Sequence, residues 1–145
     1  MYNPVLSAAI LGWAAAQLIK FILFFVQNSN VRFERLYGSG GMPSSHSSFV
    51  CATLIATGRV LGWESPEFGI MFVISCVVMY DAAGVRRAAG LHAKELNLIH
   101  LRLFPSEDEN ENKKEEFTEF LGHTPFQVVC GAILGAVIGA LIPIV

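Results

Sequence analysis

Two histidines, His46 and His123, stand where apolar segments of the chain begin. Imidazole titrates near neutral pH, so a residue so placed can serve as nucleophile or as proton donor. His46 closes the run GGMPSSH, whose Gly40, Gly41, Ser44 and Ser45 are small residues at the start of an expected helix. Backbone N–H groups and hydroxyls there can face an anion, and the helix dipole favours negative charge at that end. Arg86 and Arg87, in YDAAGVRRAAG, carry forked donors matched to phosphate oxygens. Lys20, near the end of the first apolar run with Gln17 a turn before it, adds a second kind of cation. Together these residue types suit a phosphate group. Nothing in the chain matches a Walker-type glycine loop, so a soluble nucleotide fits less well.

Each of these residues also has a plainer reading. His46 and His123 can be helix-opening residues that bond a cap, and Arg86 with Arg87 can be a stop-transfer pair facing lipid headgroups. Lys20 can snorkel to the interface. Asp81 is harder to set aside, because an acid inside a span is expensive unless paired. On a continuous helix it precedes Arg86 by slightly over one turn, so it can orient that arginine. His92 and His100 read as surface residues.

The elements that must position these groups are apolar. The chain has 145 residues, 53% hydrophobic and only 15% charged, with a mean hydropathy of +0.51. A soluble domain usually carries about a quarter charged residues, so the composition points to a membrane protein. A net charge of -2 with no cluster of excess lysine and arginine excludes a nucleic-acid surface. Cys51, Cys76 and Cys130 each lie in an apolar run and lack CxxC spacing, which argues against disulfides or zinc.

Four spans can be drawn, from about Pro4 to Val26, Ser47 to Leu61, Phe68 to Val85, and Pro125 to Val145. Each crossing takes about 20 residues, so one domain over residues 1–145 is expected, an all-α polytopic bundle. The first span has no basic segment before it and is too long for a signal peptide. Ser65 in WESPEF is a candidate cap. Leu96, Ile99 and Leu103 recur at helical spacing among charges, which predicts an interfacial amphipathic helix. SEDENENKKEE reads as a solvated loop. Gly131, Gly135 and Gly139 form a smooth stripe for close packing within the chain, with a homodimer as the alternative.

Eight of the ten lysines and arginines fall in the loops after spans one and three, at Arg32, Arg35, Arg86, Arg87, Lys94, Arg102, Lys113 and Lys114, while Lys20 lies in span one and Arg59 interrupts span two near its end. The positive-inside rule makes both loops cytoplasmic and puts the termini outside. GGMPSSH, YDAAGVRRAAG and LGHTP then all meet one membrane face, where they can form one pocket.

With those three runs in order, the chain resembles the small divergent branch of the type 2 phosphatidic acid phosphatase family, also described as acid phosphatase/vanadium-dependent haloperoxidase-related proteins. GGMPSSHSS, MYDAAGVRRAAG and LGHTPFQVVCGAILG carry the resemblance, which covers nearly the whole chain. It implies an integral, multi-pass protein of a bacterial plasma membrane that acts on lipid phosphates without metal or other cofactor. Ser44, Ser45 and His46 match the family's P-S-G-H motif, with serine at the glycine position, and His46 would protonate the leaving group. His123 matches the nucleophile of S-R-x5-H-x3-D, and a phosphohistidine would form on it. Gln127 stands where that motif has aspartate, Phe117 where it has arginine, and the K-x6-R-P motif is absent, with Lys20 and Arg35 as loose stand-ins. The substrate-binding set expected is Gly41, Ser44, Ser45, Arg86, Arg87, Lys20 and Asp81. The partners expected are the bilayer and a lipid phosphate such as phosphatidate or a polyprenyl phosphate. A protein of another class, which binds anionic headgroups as scaffold or regulator, is the alternative.

Overall fold

The structure is a computed structural model that describes residues 2–27, 41–103 and 122–144, with the side chains of Arg86 and Leu101 excepted. Gly40, Arg32, Arg35, Phe117, Lys113, Lys114 and the acidic run lie outside the described residues. Five helices are described: α1 (Pro4–Gln27), α2 (Ser45–Leu61), α3 (Pro66–Ala83), α4 (Val85–Leu103) and α5 (Pro125–Leu141). No strand occurs among the described residues.

Local chemistry sets the helix ends. Pro66 and Pro125 occupy first-turn positions, where the absent N–H costs nothing. Ser65 caps α3 by accepting from the Phe68 N–H at 3.2 Å, as expected from WESPEF. Ser44 caps α2 by accepting from the Ser47 N–H at 3.3 Å. A turn at Gly84 separates α3, which ends at Ala83, from α4, so Asp81 lies in the last turn of one helix and Arg86 in the first turn of the next.

α2 is the central helix and packs on α1, α3 and α5. Its tightest neighbour is α5. A Cβ on Gly131 or Gly135 would run into the carbonyl oxygens of Ser44 and Ser48, and one on Gly139 would come within 2.6 Å of the Ala52 oxygen. The glycine stripe is thus filled by Ser44, Ser48 and Ala52 of the same chain. On the opposite side of α2, a Cβ on Gly12 would lie 2.9 Å from the Ser48 oxygen, and the Ser48 hydroxyl donates to the Gly12 carbonyl at 2.7 Å.

The interior is small and polar, while the outside is large and apolar. Ala8, Ala52 and Ala56 are buried with Ser47, Ser48 and Ser75, whereas Leu18, Ile70, Val77, Ile133 and Val137 are exposed. That inversion suits lipid as the solvent, where helices associate through small residues and hydrogen bonds. Pro4–Val26 in α1 and the run Pro66–His100, which takes in α3 and most of α4, are long and apolar enough to cross a membrane, and α5 is a shorter apolar helix. α4 is the expected amphipathic helix. Leu96, Ile99 and Leu103 are exposed on it, while Gly90, Ala93 and Asn97 are buried.

Candidate active site at one end of the bundle

Two backbone hydrogen bonds draw three polar segments together. The Ser44 N–H donates to the Gln127 carbonyl at 3.1 Å, which joins the turn before α2 to the first turn of α5. The His123 N–H donates to the Ala82 carbonyl at 2.9 Å, which joins the lead into α5 to the end of α3. Positive φ angles at Gly41 (95°) and Gly122 (84°) let the chain turn on either side of this junction, a conformation open to glycine without strain.

Side chains converge on the same point. The His46 and His123 rings lie 6.2 Å apart between centroids, tilted at 60°. The Lys20 ammonium reaches from α1 to donate to the Ser45 hydroxyl at 3.3 Å. Its stem also lies near Gly41, since a Cβ there would meet the Lys20 Cδ at 3.9 Å. His123 is 2% exposed, and neither ring nitrogen makes a hydrogen bond of good geometry. Burial, then the Lys20 charge and His46, hold its pKa down at about 4, outweighing the Gln127 side chain and the Gly41 backbone, which favour the charged ring. At neutral pH His123 is therefore an uncharged imidazole with a lone pair to give.

Of the expected site residues, the structure gathers Lys20, Gly41, Ser44, Ser45, His46 and His123. The Ser44 hydroxyl is wholly buried and accepts from both the amide and the hydroxyl of Ser47, so it shapes the first turn of α2. Asp81 is half-buried, one residue before the Ala82 carbonyl that holds His123. Arg87 is exposed on α4 and shares no hydrogen bond with the cluster.

Two residues have roles that their types alone did not suggest. Gln127 forms a capping box with Thr124: its Oε1 accepts from the Thr124 N–H at 2.9 Å, and its N–H donates to the Thr124 hydroxyl at 3.3 Å. The run Thr-Pro-Phe-Gln carries that signature in the sequence. Arg59, read as an interruption of span two, donates from Nη1 to the Gly139 carbonyl at 2.9 Å and to the Ile142 carbonyl at 2.8 Å. A cation in the last turn of one helix thereby satisfies the open carbonyl end of another.

One end of a bundle of apolar helices thus joins two histidines, a lysine and a serine turn. Residues 1–138 match the divergent PAP2 family, and the chain belongs to it. Among its relatives is the Uncharacterized membrane protein YuiD of Bacillus subtilis, 35% identical across an alignment that covers 91% of this chain and 88% of that protein. No solved structure matches the chain.

Proposed function

We propose that this protein is a membrane-embedded phosphatase of lipid phosphate monoesters or pyrophosphates, of the phosphatidate or polyprenyl phosphate type. The observation that carries the reading is the pair of histidines, His46 on α2 and His123 before α5, set 6.2 Å apart beside the Lys20 ammonium. In-line displacement needs a nucleophile about 3 Å from phosphorus. It also needs an acid about 3 Å from the leaving oxygen on the far side. Two neighbouring imidazoles can divide those two roles between them.

In this reading a neutral His123 nitrogen gives its lone pair to phosphorus and the P–O bond to the lipid breaks. The electron pair leaves with the oxygen, which takes its proton from His46. Water then attacks the phosphohistidine, the N–P bond breaks, and His46 accepts the water's proton. Lys20, the Ser45 hydroxyl and the first-turn N–H groups of α2 stabilise the charge on the equatorial oxygens, where such contacts contribute most. Arg86 and Arg87, at the start of α4, lie where headgroup phosphates would approach, and Asp81 holds its place beside the Ala82 carbonyl. In this reading the protein crosses a bacterial plasma membrane several times with this end of the bundle at the cytoplasmic face, which the basic residues of the loops after spans one and three support.

The test is phosphate release by detergent-purified protein from phosphatidate, lysophosphatidate, diacylglycerol pyrophosphate, and undecaprenyl mono- and diphosphate. Turnover on at least one substrate, abolished in His123→Ala and reduced at least a hundredfold in His46→Ala, is expected. A second reading, a non-catalytic binder of anionic headgroups, is favoured by one observation: Gln127, four residues after His123, spends its side-chain oxygen on a helix cap instead of presenting a carboxylate to the ring. Silence across the panel, with retained binding to phosphatidate vesicles that is weakened by Lys20→Met, would establish that second reading.

A further inference from the structure

Gln127 makes three bonds that meet at the site. Its side-chain oxygen holds the Thr124 N–H, its own N–H is held by the Thr124 hydroxyl, and its carbonyl receives the Ser44 N–H. Thr124 directly follows His123, and Ser44 directly precedes Ser45, the residue that Lys20 contacts. We infer that Gln127 is a positioning residue that locks the His123 segment to the Ser44–Ser45 turn, so that one side chain and one carbonyl set the separation between imidazole and anion cradle. Its consequence for turnover rests on the phosphatase reading; the positioning itself does not.

The identity of the side chain has an electrostatic effect as well. His123 is faced by Lys20 from α1, by His46 from α2 and by the Gln127 amide from α5, and Asp81 on α3 adjoins its backbone anchor at Ala82. Glutamine closes the capping box without adding charge, whereas glutamate would close the same box and place a carboxylate beside the ring. Gln127→Glu is therefore a variant that preserves the fold and changes the charge.

Two measurements test the inference on the intact protein in detergent. Histidine side-chain NMR titration should show the His123 midpoint, about 4 in the native chain, rising by at least one pH unit in Gln127→Glu. If turnover is present, the acid limb of its pH profile should rise with it. Amide hydrogen exchange at Ser44 and His123 should accelerate at least tenfold in Gln127→Leu, which loses the box. An unchanged His123 midpoint in the glutamate variant, or unchanged exchange at both amides in the leucine variant, overturns the inference. Absence of turnover in the native protein would instead count against the phosphatase reading, and leaves both measurements decisive.

Discussion

His123 combines near-complete burial with two nitrogens that make no hydrogen bond of good geometry. An unsatisfied buried polar group costs about 1–3 kcal/mol, and such a position is retained most readily where a ligand completes it. The depressed pKa also fixes how stability responds to acid. The unfolded chain binds a proton at an ordinary histidine value of 6.5 and the folded chain only near 4. The contribution is therefore fully present above 6.5 and is lost as pH falls through that window to about 4. Thermal unfolding followed from pH 7 to pH 4 should show a smaller decline for His123→Gln than for the native protein, by an amount on the order of 2 kcal/mol. At this scale the sequence was informative, because His46, His123, Lys20 and Ser45 are residue types whose chemistry is conspicuous in an apolar chain. The capping role of Gln127 was written in Thr-Pro-Phe-Gln, yet its bond to Ser44 was not, since it joins segments more than eighty residues apart.

The seam between α2 and α5 is where helix identity matters most. Gly135 faces the Ser48 carbonyl with no room for a side chain, so Gly135→Val must push the helices apart. Overpacking of that kind typically costs about 1–3 kcal/mol. A thermal midpoint below the native value in detergent, with phosphate release falling in step because Ser44 rides on the same seam, is the expected result. Arg59 acts at the other end of α2, about four turns from Ser45. Arg59→Ala should destabilise by about 1–3 kcal/mol through the loss of two charge-assisted hydrogen bonds. Turnover of the folded fraction should be unchanged, which a stability assay paired with an activity assay checks. The glycine stripe was legible as a sequence pattern. Its partner was not, because the register between two helices depends on tertiary contacts, and for the same reason Arg59 looked like a flaw in a span.

Over the whole molecule, hydrogen bonds pin both ends of the bundle. At the site end lie Lys20, Ser45, Ala82 and His123. At the other end, the Tyr2 hydroxyl donates to the Pro143 carbonyl at 3.3 Å, near the Arg59 bonds to α5. The helix ends alternate as span counting required, so the convergence of three polar runs at one end was legible from charge and parity. The break at Gly84 was not, because a lone glycine in an apolar run signals a stop only weakly. In a background lacking the three native cysteines, His92→Cys and Glu64→Cys provide a topology test, since both positions are exposed. A membrane-impermeant maleimide should label the Glu64 position in intact cells and the His92 position only after permeabilisation. The reverse pattern would put the site on the outer face.

The hydroxyl-rich interior of α2 bears on how the protein is made. Ser44, Ser47, Ser48 and Thr57 turn inward, and the helix carries His46 and Arg59 as well. Such a segment partitions poorly into lipid on its own. α1 is available to shelter it from the start of synthesis, but the carbonyls of Ser44, Ser48 and Ala52 are covered by α5, the last of the described helices in chain order. Stable insertion of α2 thus waits for α5, so a nascent chain stopped before Pro125 should remain a substrate for membrane quality control.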